Sequence, residues 1–587
     1  MSETPKEQPE KRISNQEIVA ELKEVLAAME VKNVNRFRIR AYQNAVAVLD
    51  NLTTSIQDIW EEGRLNEIPG IGDNLEGHLN DLFTRGIVGE FEHAKSGLPE
   101  GMFALLGLRG IGAKKAFKLA HAFNLTKREN ALEEIKKRAE AGEIQTLEGF
   151  GEKSEKEILE SIDQLKFSKN DKPRMLLSRA EQIIERVMEY MKTSPEVLKI
   201  DALGSFRRRN PTVGDLDIVV ATNDPEKVIE HFVNFPEVAD VIVKGDRKAV
   251  VVLSNDVQVD IRVSTPEAYG AMLQYNTGSK QHNIILRTYA LEKGMSLSEY
   301  GIKRKGKLEE FDNEEDFYKE LKLPYIPPEI RNGTDEVELA EKNKIPDLIK
   351  LSDIKGDLQS HTIFSDGINT LEEMVEKAIS LGYEYYGVTD HAPSVQARGY
   401  KEVERLIQEQ RDLINKINSR QDKIKVLFGF EINILADATL GLPDELIKEL
   451  DFALASIHTA MNQDKAQITE RYIMAIENPY INFIGHPSGR LINERDALDV
   501  DWKKVFDALK ANDKMIEINS QPNRLDLTDD LVRVAINQGI NLLINTDAHA
   551  TDQMDYMKYG IDVARRGHCE KKHIMNSLPL KEFVKLL

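Results

Sequence analysis

The chain has 587 residues, which at roughly 150 residues per domain leaves room for about four domains. Hydrophobic residues make up 41% and charged residues 30%, enough for packed cores and too apolar for wholesale disorder. The balance of 79 basic against 99 acidic residues, a net charge of −20, excludes a uniformly basic nucleic-acid coat but not local basic patches. One cysteine, Cys569, excludes an intrachain disulfide and a thiolate zinc cluster. The polar opening MSETPKEQPEKR has no apolar signal core, and no run approaches the ~18 apolar residues that cross a bilayer. A cytoplasmic protein without a membrane partner is the expectation.

The first dozen residues are expected to be a frayed tail. Beyond them Ile18, Leu22, Val25 and Leu26, then Ala45, Val48 and Leu49, recur at helical spacing and predict helices. Between the two sets stand Lys32, Arg36, Arg38 and Arg40, interleaved with Phe37 and Tyr42. That pattern fits a DNA-facing patch and a solvated helix face equally. Three Gly-x-Gly turns follow: Gly70-Ile71-Gly72, Gly110-Ile111-Gly112 and Gly149-Phe150-Gly151, each between helical runs. Glycines two apart permit tight turns with positive φ and expose N–H groups at a helix start, where an anion is favoured. The repetition predicts helix-hairpin-helix motifs that grip DNA phosphates through Gly70, Gly72, Gly110 and Gly112 without reading sequence. The third copy fits a packing turn as well.

From Leu198 onward short β-type runs appear, at 216–221, 241–244, 249–253 and 257–263. Asp215 and Asp217 are two apart, so both leave one strand face, and Asp260 sits in a similarly alternating run. Three converging carboxylates repel one another unless cations lie between them, and such oxygen ligands suit Mg²⁺ or Mn²⁺. Two ions can clamp an attacking hydroxyl and a leaving phosphate. Upstream, Gly204-Ser205-Phe206-Arg207-Arg208 is a turn able to offer a hydroxyl, backbone N–H groups and a guanidinium to a triphosphate.

Gly204-Ser205 through Gly214-Asp215-Leu216-Asp217 resembles the nucleotidyltransferase signature of family X DNA polymerases. Gln274-Tyr275-Asn276-Thr277-Gly278-Ser279-Lys280 with Asn283 is similar to their Tyr-Phe-Thr-Gly-Ser nucleotide segment. Ser298-Glu299-Tyr300 and Tyr325-Ile326-Pro327-Pro328-Glu329 fit the end of their thumb. The resemblance implies that Asp215, Asp217 and Asp260 are catalytic metal ligands, with Asp260 close to the primer 3′-hydroxyl. It also implies nucleotide contacts at Gly204, Ser205, Arg208, Gly214, Tyr275, Asn276, Gly278 and Asn283. Three positions depart from the family: Asn276 replaces a Phe, Gln258 replaces an Arg, and His78 stands where some members carry a Schiff-base lysine. An imine needs an amine, so lyase activity is not carried over.

In the last third, seven apolar runs alternate with helical segments, and each ends in a polar residue, usually of metal-ligand type. The ends carry Gln359-Ser360-His361 with Asp366, then His391, Glu431, His458, His486, Asn519 and Asp547-Ala548-His549. In a βα barrel these ends meet at one mouth, where imidazoles and carboxylates suit two or three Mn²⁺, Zn²⁺ or Fe²⁺ ions. This stretch resembles the PHP (polymerase and histidinol phosphatase) family. The resemblance implies the ligand set Gln359, His361, Asp366, His391, Glu431, His458, His486, Asp547 and His549, with Gln359 in place of the usual first His.

Together the fold expectation is a multidomain chain. It has an α-helical helix-hairpin-helix region at 1–90 and 91–172, an α+β nucleotidyltransferase palm at 173–270 and a thumb at 271–332. A linker at 333–351 and a distorted (βα)7 PHP barrel at 352–587 follow. The fusion is similar to bacterial and archaeal family X polymerases. It implies gap-filling DNA synthesis on gapped or primer–template DNA with dNTPs, and phosphodiester hydrolysis of the 3′→5′ exonuclease type in the barrel. A monomer is expected. Two alternatives stay open: a barrel acting on small phosphomonoesters or pyrophosphate, and a DNA-binding scaffold with decayed sites.

Overall fold

The computed structural model of the chain describes residues 15–587 except 51–55, 62–64, 69–70, 87, 107, 109–110, 148, 152–153, 157, 160–161, 163–173 and 256. The chain divides into two compact units, Met1–Pro173 and Arg174–Leu587.

The first unit is helical among its described residues. The helix Asn15–Val31 buries Ile18, Leu22 and Val25 on one face, as the helical spacing requires. These residues join Leu49, Leu79, Phe83 and Phe91 in one core, while Met102, Leu105, Ala116, Leu119 and Ile135 form a second. Gly72 and Gly112 are the N-caps of the helices Asp73–Arg85 and Ala113–Ala122.

In the second unit, a five-stranded sheet runs in the order Lys199–Ala202, Leu216–Ala221, Gln258–Ser264, Lys248–Leu253, Val238–Lys244. Only the pair Leu216–Ala221 and Gln258–Ser264 is parallel. Its register sets Asp217 opposite Asp260. The amphipathic helices Leu177–Met191 and Pro225–Val233 bury Ile183, Ile184, Val228 and Phe232 against the sheet. Helices Tyr269–Thr277 and Lys280–Glu292 and a three-stranded antiparallel sheet, Met295–Ser298, Gly301–Arg304 and Lys307–Glu309, share a separate core. The stretch 333–351, expected as a linker, carries the helix Glu336–Glu341, and the buried Glu336 accepts from His282 Nδ1 at 2.6 Å.

Seven parallel strands then follow in sequence order: Gly356–Asp357, Tyr385–Val388, Lys425–Asn433, Phe452–Ser456, Phe483–Ile484, Met515–Asn519 and Leu542–Asn545. The first and last strands meet through side chains. Leu358 N donates to Asn545 Oδ1 at 3.0 Å, and Thr546 N to Asp357 Oδ1 at 3.1 Å. A bridge between Ser360 and Ala548 continues this seam, so the sheet is a nearly closed barrel. Its interior is filled by Leu358, Tyr385, Leu427, Phe452, Phe483 and Leu543.

The five-stranded sheet and the barrel are not joined by a slack tether. One hydrophobic core contains Phe206, Val213 and Leu216 together with Met557, Tyr559 and Ile561 of the barrel helix Met557–Arg566. Polar contacts flank it: Arg209 Nε to Asp562 Oδ2 at 2.8 Å, Tyr559 OH to Glu181 at 2.7 Å and Arg565 to Glu329 at 2.8 Å. Burial pushes the Asp562 carboxyl up to about 6, against the opposing pull of Arg209.

Candidate functional site

Two sites emerge in the second unit. At the first, the parallel register brings Asp217 and Asp260 side by side, and Asp215 precedes the same strand by one residue. Burial, then the charges of Asp215 and Asp260, push the Asp217 carboxyl up to about 7. Asp260 is also raised, first by burial, although Gln258 Nε2 donates to it at 2.8 Å and Lys248 Nζ lies 3.9 Å away. Gln258, which replaces the family's arginine, therefore holds the third aspartate directly. A buried carboxylate crowded by two others fits a cation by the chemistry of its donors. The three aspartates are nonetheless not among the groups whose ligand atoms converge within 4.8 Å; both such groups lie in the barrel.

Gly204 stands beside this cluster with φ +57, and a Cβ there would lie 2.9 Å from Asp217 Oδ2. Glycine is needed for both reasons. Ser205 lies in the one-turn helix Gly204–Arg207, and Arg208 caps it. The Arg208 guanidinium donates to the Thr277 carbonyl. Burial and three neighbouring guanidiniums, Arg566, Arg331 and Arg174, lower it to about 10. Gly278 abuts Arg208 Nη1, and Gly214 abuts Arg174 Nη1, at 3.2 and 3.3 Å from a hypothetical Cβ. Arg331 is paired with Glu314 and Arg566 with Asp529, so Arg208, with Arg174 near, is the guanidinium of this group suited to a polyanion.

Two of the expected nucleotide contacts, Asn276 and Asn283, have side chains engaged within the protein. Asn276 donates to Met272 O at 2.9 Å, back along its own helix. Asn283 donates to Tyr275 O at 2.7 Å and accepts from Gln274 at 3.1 Å, so its amide secures the end of that helix. The half-buried Tyr275 hydroxyl is raised to about 12, first by burial and then by Glu299.

At the barrel mouth the strand-end residues do meet. His361, Asp366, His391 and His549 form one group with ligand atoms within 4.8 Å, and His391, Glu431 and His458 form another. Glu431 is the hub: His391 Nδ1 lies 3.2 Å, His458 Nε2 3.2 Å and His486 Nε2 2.7 Å from its oxygens. Asp547 Oδ1 is 3.1 Å from His361 Nε2. That buried nitrogen still lacks a hydrogen-bond partner of proper geometry, a disposition suited to a lone pair aimed at a cation. Burial favours the neutral His361 ring, yet Asp547, Glu431 and Asp366 hold it up at about 9. Despite its burial, Asp547 is drawn down to about 2 by His361, and Glu431 falls well below the carboxylate range beside His486 and His458. His486 and Asp547 adopt left-handed backbone, φ 24 and 53, the local strain that often marks functional sites.

Gln359 is the exception among the expected ligands. It is fully buried, and its amide nitrogen donates to Glu431 Oε1 at 3.3 Å. Turned over, the amide nitrogen donates instead to the Glu517 carboxylate, 2.7 Å from Oε2. Glu517 is completely buried on the strand Met515–Asn519, where burial and Asp547 raise its carboxyl well above the ordinary range. Sequence reasoning passed over Glu517, although an acid at the centre of an apolar strand, two before Asn519, was a signal. It also passed over Arg524, whose Nε lies 3.6 Å from Asp547 Oδ2; a loop arginine offers no such signal.

In the first unit, Gly72 and Gly112 are exposed and extended, with φ −97 and −84, and no side-chain cap covers either helix start. The expected positive φ is therefore absent at both and appears at Gly149, φ +87. The second glycine of each turn leaves open space instead, since a Cβ at either position meets nothing within 4 Å. Gly70 and Gly110 lie outside the described residues, as does the terminal tail. The basic patch is partly consumed internally. Lys32 donates to Ser96 O at 2.9 Å, Arg38 pairs with Glu90, and Tyr42 is buried; Arg36 and Arg40 remain exposed. His78 is hydrogen-bonded at both nitrogens, to Tyr42 at 2.9 Å and Glu90 at 2.7 Å. Among the described residues no helix is long and apolar enough to cross a membrane.

A nucleotidyltransferase-like aspartate cluster and a histidine–carboxylate barrel in one chain define a class, and comparison with known proteins agrees: the chain belongs to the family X DNA polymerases with a C-terminal PHP domain. A DNA polymerase beta thumb matches residues 272–332 and a PHP domain 357–521. A helix-hairpin-helix domain matches 13–87 and a SAM-like helix-hairpin-helix tandem 103–164, consistent with DNA binding by the first unit. The chain is 34% identical over 570 residues to the DNA polymerase/3′-5′ exonuclease PolX of Bacillus subtilis, covering 96% of this chain and 98% of that protein. The barrel region alone is similar to a probable phosphatase of Acetivibrio thermocellus, 30% identical over 207 residues, 33% of this chain and 78% of the relative. A probable phosphatase of Caldicellulosiruptor bescii is 31% identical over 199 residues, 32% of this chain and 77% of its own.

Proposed function

We propose that the chain is a gap-filling DNA polymerase whose barrel removes nucleotides from 3′ ends. The observation that carries the polymerase reading is the parallel register setting Asp217 against Asp260, with Gly204 of the Arg208 turn against Asp217. Asp215, Asp217 and Asp260 are the residues that hold Mg²⁺ or Mn²⁺. Such ions supply positive charge that favours ionisation of a primer 3′-hydroxyl and offsets charge on departing pyrophosphate. Arg208, with the backbone of Gly204 and Ser205, receives the triphosphate of a dNTP, and Tyr275 packs beside its sugar. The exposed helix starts at Gly72 and Gly112 receive DNA phosphates.

In the barrel, His361, Asp366, His391, Glu431, His458, His486, Asp547 and His549 form a donor set for two or three Mn²⁺, Zn²⁺ or Fe²⁺ ions. A bound ion there lowers the pKa of water and polarises a phosphodiester. The Gln359 amide donates to Glu431 or, turned over, to Glu517 and so holds one of these buried carboxylates, and Arg524 offers its guanidinium to a phosphate oxygen at the mouth.

The test is a 5′-labelled primer on a gapped template with Mn²⁺. With dNTPs it lengthens by the gap; without them it shortens one nucleotide at a time. The barrel's likeness to probable phosphatases supports one other reading, hydrolysis of phosphomonoesters. A primer left intact while p-nitrophenyl phosphate is hydrolysed would select that reading.

A further inference from the structure

We infer that Arg566, a residue of the barrel, positions the triphosphate-binding loop of the polymerase site. The barrel is thereby a structural part of nucleotide selection as well as a separate hydrolase. The inference rests on the reading of Arg208 as a triphosphate ligand.

Arg208, Arg209 and Asn210 form the turn after the one-turn helix Gly204–Arg207, and barrel side chains grip each of the three. Arg566 Nη1 donates to the Arg208 carbonyl at 3.0 Å and to Asn210 Oδ1 at 2.7 Å. Asp562, one helical turn earlier, accepts from Arg209 Nε at 2.8 Å. Arg209 has φ 54, a left-handed conformation that persists where the surrounding contacts hold it. Arg566 is itself fixed within the barrel, since its Nη2 donates to Asp529 Oδ2 at 2.6 Å and its side chain is only 9% exposed.

The grip is stiff because the helix Met557–Arg566 lies flush on the barrel wall. A Cβ at Gly560 would come within 2.5 Å of Ile544 on the last strand. On its own side the turn is held by the backbone bonds Arg208 N to Gly204 O at 3.2 Å and Asn210 N to Ser205 O at 3.0 Å and by the Thr277 carbonyl, none of which engages the Arg208 carbonyl or the Asn210 side chain that Arg566 holds. A guanidinium that must meet a phosphate in a fixed orientation loses affinity when its backbone is free to shift, whereas the aspartates, on paired strands, do not depend on this turn.

The experiment uses the full chain on gapped DNA. Arg566→Ala should raise the KM for dNTP about tenfold while kcat changes less than about twofold. Shortening of a single-stranded primer without dNTPs should proceed at the parent rate. Arg566→Lys, which keeps one donor, should recover part of the loss in KM. An unchanged KM in Arg566→Ala overturns the inference. If that variant instead lowers the melting temperature and both activities together, Asn210→Ala decides, because it removes only the palm-side acceptor. The same rise in KM then supports the inference, and an unchanged KM overturns it. Arg208→Ala separates the two readings. If it leaves the KM unchanged, Arg208 is not a triphosphate ligand; if it raises KM while Arg566→Ala does not, only the positioning role fails.

Discussion

Replacing Asp217 by Asn should stabilise the metal-free protein, and by more at higher pH. The Asp217 carboxyl titrates at about 7 instead of 3.8 because burial, then the charges of Asp215 and Asp260, oppose its ionisation. A folded-state pKa above the unfolded one means that the proton is held more tightly in the fold. The associated stability is complete below pH 3.8 and is lost as pH rises towards 7. At about 1.4 kcal/mol per pH unit, the raised pKa costs about 2 kcal/mol at pH 5, where folding must protonate Asp217, and about 4 kcal/mol at pH 8, where the buried carboxylate is ionised. Asn has the same shape without the charge, so urea unfolding of the Arg174–Leu587 unit in EDTA should show a gain that widens by about 2 kcal/mol between these values. Mg²⁺ or Mn²⁺ should narrow the gap at pH 8 by stabilising the parent alone. A gain that fails to widen with pH would refute the argument that Asp217 is a carboxylate held at energetic cost.

Asp215→Ala or Asp260→Ala should lower nucleotide incorporation at least about a hundredfold in primer extension, with gapped-DNA affinity unchanged in a binding assay. Gly72→Ala with Gly112→Ala should leave the melting temperature unchanged, because each Cβ enters open space, yet weaken DNA binding about tenfold by keeping a phosphate away from the helix start. Asp547→Asn or His458→Ala should abolish primer shortening and leave extension in place, as measured on one labelled substrate. Truncation after about residue 350 should abolish cooperative unfolding of the remaining sheet, seen by near-ultraviolet circular dichroism, because it removes Met557, Tyr559 and Ile561 from the shared core.

The site was legible wherever chemistry is written in residue type at strand spacing. Asp215 and Asp217 at period two, with Asp260 on a second alternating run, announced a shared face, and the parallel register placed them on neighbouring strands. The polar ends of the barrel strands were equally plain, because each apolar run stops at a polar residue, usually a histidine or a carboxylate. The packing of the stretch 333–351 was not legible because Glu336 looks like one more surface acid. Its burial depends on His282, 54 residues away, which no local pattern encodes. The union of sheet and barrel was hidden for the same reason. Arg209 and Asp562 are 353 residues apart, and charges on a loop and a helix read as solvated until the fold pairs them. The buried acid beside Gln359 was not legible, because Glu517 lay unmarked inside a strand chosen for its apolar residues.

The seam of the barrel divides the residues of its mouth into two banks. Gln359 and His361 follow the first strand, Asp547 and His549 follow the last, and between those strands the union rests on side chains, chiefly Asp357 with Thr546 and Asn545 with Leu358. Such a join is the natural place for the cylinder to part, because few ladder bonds need to break. Ions ligated from both banks would act as rivets across it, so the catalytic charge would also set how often the wall opens. Amide hydrogens at Leu358 and Thr546 should then exchange faster after chelation than those of the strand Lys425–Asn433, which is paired on both sides. A hydrolase of this design carries its metal load as a gauge of its own integrity.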